Sequence, residues 1–161
     1  MDAHVRDAFS VLLTEAVKLL NVTYDGHTIG CIENPSEEVQ LAAVTENGWA
    51  IQYIENPSEE LQLVAVTQDG GAILYIENQS KTLQLIAVTQ DGNAISYIND
   101  PSEEVQLTAV MQNGFAIHSV EDPSEEVQLA AVTENGYAIK YIKNPSEAVK
   151  FAALGNQQSN L

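Results

Sequence analysis

The 161-residue sequence predicts an all-α protein: an α-solenoid of about six and a half helix-turn-helix repeats of 22 residues, behind an N-terminal capping helix. Three observations predict it. The stretch "NPSEEVQLAAVTENGWAIQYIE" begins at Asn34 and returns little changed from Asn56, Asn78, Asp100, Asp122 and Asn144; a fixed period of this length marks stacked supersecondary units. Each copy carries helix start and stop signals at the same places. Within each copy the apolar residues recur at helical spacing, Val39, Ala42 and Ala43 in one stripe and Leu41 with Val44 in the next.

Residues 1–13 read as the added capping helix and residues 14–154 as the repeat domain, because "TEAVKLLNVTYDGHTIGCI" aligns with "SEEVQLAAVTENGWAIQYI", Thr14 matching Ser36 and Gly26 matching Gly48. In a full copy, Asn34 is a candidate N-cap, Pro35 suits the first helical position, and Glu37 would fall where it completes a capping box. A long helix A follows. Asn47-Gly48 would end it with a left-handed residue. A shorter helix B is expected from Trp49 to about Glu55, stopping before Pro57. "NG" and "DG" can also mark a β-hairpin, but the flanks do not alternate with period two and "EEVQLAAV" has helical propensity. Gln79-Ser80-Lys81-Thr82 replaces Pro-Ser-Glu-Glu, so the third joint is expected to be softer or differently bent. The last copy stops after its helix A, and residues 155–161 read as a polar tail.

Charge is the unusual feature of the composition. Twenty-three carboxylates face six Lys and Arg, a formal net charge of −17. Between Leu19 and Ile139 there are nineteen Asp and Glu and one base, Lys81. Such a field repels nucleic acid and anionic membranes and attracts basic partners. The sequence offers no membrane-spanning run and no signal-peptide pattern at its start, and the lone Cys31 fits a reducing compartment, so a cytoplasmic location is expected.

Comparison of the copies separates scaffold from free positions. Ala50, Ile51 and Ile54 and their counterparts hardly change and are expected in the core. The residue after the glycine varies: His27, Trp49, Gly71, Asn93, Phe115, Tyr137. Three places further on the series is Gly30, Gln52, Leu74, Ser96, His118, Lys140. Positions i and i+3 share a helix face, so helix B is expected to carry a variable stripe (His27, Trp49, Gln52, Leu74, Asn93, Phe115, His118, Tyr137) rich in the residue types that anchor interfaces. The series Tyr53, Tyr75, Tyr97, Tyr141, with Cys31 and Ser119 in the other slots, reads as a ladder of half-buried rings. The glutamines from Gln40 to Gln128 read as an exposed ladder.

Carboxylates also recur in register. Glu37, Glu59, Glu103 and Glu125 form one row, Glu38, Glu60, Glu104 and Glu126 a second, and Glu33, Glu55 and Glu121 a third just before the joint. All fall near one helix junction and should share one edge. With helices packed about 8–10 Å apart, six layers would place about one charge per 3 Å, comparable to one strand of B-DNA at about 3.4 Å per phosphate. Glutamate at helix N-termini is stabilising in itself, but that does not account for the scarcity of Lys and Arg elsewhere.

The unit "NPSEEVQLAAV…NG.AI.YI" resembles short helical repeats of bacteriophage and environmental sequences grouped as a domain of unknown function, and is loosely similar to leucine-rich variant and HEAT-like repeats. The likeness covers about residues 12–154. It implies an all-α solenoid and a phage or mobile-element setting, and it carries no catalytic residues.

No nucleophile elbow, P-loop, dinucleotide fingerprint, zinc spacing or EF-hand loop occurs. His4, His27 and His118 fall in different copies. The expectation is a non-enzymatic binding protein without cofactor or specific metal. Its acidic edge would mimic nucleic acid and block a basic nucleic-acid-binding defence protein, in the manner of an anti-CRISPR or anti-restriction inhibitor acting in a bacterial host. The alternatives are a general protein- or peptide-binding scaffold that uses the variable stripe, with charge serving solubility, and capture of a small ligand between units. Direct contact with nucleic acid or membrane is not expected. The half copy at the C-terminus, in the most basic part of the chain, could form a homodimer.

Overall fold

The computed structural model describes the backbone of residues 3–159 and the side chains of residues 14–157. Every regular element among them is helical. α-Helices α1 (Ala3–Tyr24), α2 (Glu37–Glu46), α3 (Glu59–Gln68), α4 (Lys81–Gln90), α5 (Glu103–Gln112), α6 (Glu125–Glu134) and α7 (Glu147–Ser159) alternate with six-residue 3-10 helices. These are η1 (Gly26–Cys31), η2 (Gly48–Tyr53), η3 (Gly70–Tyr75), η4 (Gly92–Tyr97), η5 (Gly114–Ser119) and η6 (Gly136–Tyr141). The chain forms two compact units, residues 1–75 and 76–161, dividing at the third joint. In the first, α1, α2 and α3 pack in chain order, as do η1, η2 and η3; in the second, α4 to α7 and η4 to η6 do the same. Each unit is thus a stack of helix pairs, the all-α solenoid architecture that the period implies.

The core of each layer comes from the same places. Val39, Ala43 and Val44 of α2 and Ala50, Ile51 and Ile54 around η2 are buried, and so are their counterparts in the other layers. Leu41, expected beside Val44 in the packed stripe, is 36 % exposed. One small and two medium side chains per helix suffice to seat the next layer, and the rest of the face is left to water.

Several local expectations are corrected. Helix A begins later than the Asn-Pro signal suggests. Ser36 is the N-cap, its Oγ accepting from the Val39 N–H at 3.3 Å, so Glu37 and Glu38 are the first two helical residues and no capping box forms. The same serine caps α3, α4, α6 and α7. Asn34 has another task. It adopts a left-handed backbone, φ 46°, as do Asn56, Asp100, Asp122 and Asn144, each of them before a proline. The following ring disfavours the right-handed helical region, and Asn and Asp are the non-glycine residues that best tolerate the left-handed one. The left-handed turn therefore lies at the joint and not at Asn47-Gly48. Asn47 is extended, and its Oδ1 accepts from the Trp49 N–H at 3.0 Å, so one residue ends α2 and caps η2.

Gly48 is required by proximity: a Cβ there would lie 2.4 Å from the Ala65 carbonyl oxygen of the next layer. Helix B is 3-10 throughout, because six residues between two extended caps leave no room for a regular α-helical turn with its i→i+4 bonds. The glutamine ladder is half-buried: Gln40, Gln62, Gln106 and Gln128 each donate from Nε2 to the prolyl carbonyl five residues back, at 2.9–3.0 Å, and tie the joint to its helix. At the N-terminus the expected boundary at residue 13 is absent, since α1 runs unbroken from Ala3 to Tyr24. At the other end α7 continues through Gly155 to Ser159, so most of the expected tail is helical.

Candidate functional site

Helix N-termini and joints place the carboxylates. In the first unit Glu37, Glu38, Glu59 and Glu60 open α2 and α3, and Glu33 and Glu55 stand in the bends just before the joints. In the second, Glu103, Glu104, Glu125 and Glu126 open α5 and α6, with Glu121 before the joint. All eleven are exposed. Within each unit they gather at one end of successive layers, as their register implies. Neighbouring layers are cross-linked there. The Ser36 hydroxyl donates to Glu15, which holds the place of Glu37 in the first layer, and Ser146 donates to Glu125 at 2.5 Å.

Lys81, the one base between Leu19 and Ile139, pairs with Glu104 of the next layer at 2.5 Å. The other ion pairs among the described residues are Lys18 with Glu15 and Lys150 with Glu147. The hydrogen bond and charge of Lys150 hold the fully exposed Glu147 below the usual carboxylate range. No group of three or more His, Cys, Asp or Glu among the described residues could hold a metal ion.

The variable stripe divides by use. Trp49 is half-buried: its Nε1 donates to Asp69 at 2.7 Å, and its ring meets Tyr75 edge-on at 5.8 Å between centroids. Gly71 lies under that ring, since a Cβ there would come within 2.6 Å of Trp49 Cζ2. The same offset along the chain sets His27 edge-on to Tyr53 and Phe115 edge-on to Tyr141. These rings therefore pack between layers, and the tyrosine ladder is built from them. His27 also bonds Asn47, and Asn93 accepts from Asn113. Gln52 is exposed and donates to the Trp49 carbonyl.

The second unit keeps the more open part of the stripe. Tyr137 is 55 % exposed, and the Phe115 and Tyr141 rings are flanked by His118 and by Lys140, whose Nζ sits 5.3 and 4.7 Å from their centroids. Leu74 is exposed in the first unit. The ring-to-layer contacts and the stacking of Lys140 on Phe115 escape sequence reasoning, because the partners belong to different copies of the repeat. The signal available was the recurrence of a ring or histidine at a fixed distance before the tyrosine of the next copy.

No family model, characterised protein or solved structure matches the chain. Among the described residues no helix is long and apolar enough to cross a membrane.

Proposed function

We propose that the protein is a non-enzymatic binding module whose acidic edge occupies the phosphate-binding surface of a basic, nucleic-acid-binding protein and so inhibits it. One observation supports this above others: on each unit the carboxylates of the helix N-termini and joints stand exposed at one end of the layers, and between Leu19 and Ile139 only Lys81 interrupts their rows with a basic side chain. Layers about 8–10 Å apart, each presenting two or three carboxylates, offer a charge density of the order found along a nucleic-acid backbone. A host defence protein, such as a restriction enzyme or a CRISPR effector, is the class of target that the resemblance to phage repeats suggests.

The test is displacement of a labelled duplex from a panel of such nucleases by the purified protein at 50 and 200 mM NaCl. Competition that weakens steeply with salt is expected. Binding that is flat with salt, or that leaves the duplex in place, excludes phosphate mimicry.

A second reading is favoured by the open aromatic cluster of the second unit. Phe115, His118, Tyr137 and Lys140 would anchor a protein or peptide there, with charge serving solubility. It expects Phe115→Ala to abolish binding and Glu→Gln changes at Glu103, Glu104, Glu125 and Glu126 to matter little.

A further inference from the structure

Two hollows open on the second unit beside its acidic joints. One, of about 680 Å³, lies between residues 120–123 and the Tyr141 to Lys143 end of η6. The other, of about 440 Å³, lies between residues 98–101 and the same part of the preceding layer. They are one feature repeated in successive layers: Asp100 and Gln106 line the smaller hollow where Asp122 and Gln128 line the larger. Ser119 and Glu121 line both, so the two run together as a single groove. Its walls are mainly polar. Asp100, Glu121 and Asp122 border it, and the ion pairs among the described residues use other carboxylates. Lys143, in the slot that Glu121 fills one layer earlier, closes one end.

The spacing selects the occupant. Packed helical layers recur every 8–10 Å or so. A polyproline-II chain rises about 3.1 Å per residue with three residues per turn, so every third side chain points the same way about 9 Å further on. A β-strand would turn its third side chain to the opposite face. We propose that this groove binds an extended basic segment of a protein partner in polyproline-II conformation, one cationic side chain entering each hollow at every third residue. The proposal rests on the reading of the acidic edge as a surface for basic proteins, and it names the element that docks: an extended arm carrying cations in triplet register.

Two labelled peptides of identical composition test it, one with three Arg-Pro-Pro triplets and one with three arginines followed by six prolines, titrated into the full chain at 50 mM NaCl. The triplet peptide is expected to bind at least about fivefold more tightly. Equal binding would overturn the proposal and leave the acidic-edge reading standing, whereas no binding by either peptide overturns both. Asp100→Asn with Asp122→Asn keeps the fold within the repeat's own usage, since Asn34, Asn56 and Asn144 hold the same left-handed position. This variant is expected to erase the preference for the triplet peptide; a preference that survives it places the arginines elsewhere. Lys143→Glu restores the acidic residue of the other layers and is expected to tighten binding of the triplet peptide severalfold, and weaker binding would contradict the assigned groove.

Discussion

Gly48 shows how a single residue records the distance between layers. Its φ is not left-handed, so conformational freedom is not what selects it; the Ala65 carbonyl oxygen lies 2.4 Å from where a Cβ would be. Gly48→Ala must push backbone against backbone, and a loss of about 1–3 kcal/mol is expected in urea unfolding followed by circular dichroism. Gly155 supplies the contrast. It sits inside α7, where a Cβ would meet nothing within 4 Å, so Gly155→Ala should stabilise by up to about 1 kcal/mol through helix propensity alone. If both substitutions moved stability in the same direction, layer proximity would not be the reason for the repeat's glycine. Trp49 and Gly71 form a complementary pair on the same principle, the large ring of one layer covering the bare Cα of the next. Gly71→Ala alone is expected to cost more than Gly71→Ala made in a Trp49→Ala background, a coupling of about 0.5–3 kcal/mol in a double-mutant cycle.

The helix pair is the scale at which the sequence was most legible and also where it misled. The period, the buried Val39-Ala43-Val44 face, the order of long and short helices and the position of the acidic residues at helix starts all follow from spacing and residue type. The cap did not. Asn34 and Ser36 are both good N-caps, and Pro35 is at home inside a helix start; what decides is that the joint needs a left-handed residue before proline, a requirement imposed by the path to the next layer. Ser58→Ala is therefore expected to cost about 1 kcal/mol, while Asn56→Ala should destabilise because alanine resists φ 50°; a cap at Asn56 would leave Ser58→Ala near neutral. The candidate site divides similarly. The acidic edge could be read because each glutamate's place is fixed within its own helix. The stripe could not be read in full: whether Trp49 is offered to a partner or spent on Asp69 and Tyr75 depends on residues one layer away, and no local pattern states that.

At the scale of the whole molecule the dominant quantity is the charge of −17. Rows of carboxylates repeated in successive layers repel one another, and the repulsion is larger in the folded stack than in an expanded chain. Among exposed groups this energy is screened with a Debye length of about 30 Å at 0.01 M salt and about 8 Å at 0.15 M, which spans the distance between adjacent layers. Salt should therefore stabilise the protein: Tm is expected to rise by several degrees between 10 and 200 mM NaCl, the scale set by about 2–8 °C per kcal/mol for chains of this size. Lys81 makes the test specific. It pairs with Glu104 and holds the place that Glu59 and Glu103 hold in the neighbouring copies, so Lys81→Glu both removes the pair and completes the row. The variant should melt lower than the parent at 10 mM NaCl and show a steeper rise with salt, the two curves converging at high salt. Glu147 works in the opposite sense, because Lys150 depresses its pKa. Its small contribution is present at neutral pH and is lost as pH falls through the folded-state pKa, whereas relief of the repulsion between the rows grows as the other carboxylates take up protons. Parallel salt responses of parent and Lys81→Glu would mean that the layers do not hold their acidic rows within a Debye length of each other, and the phosphate-like edge would then lose its physical basis.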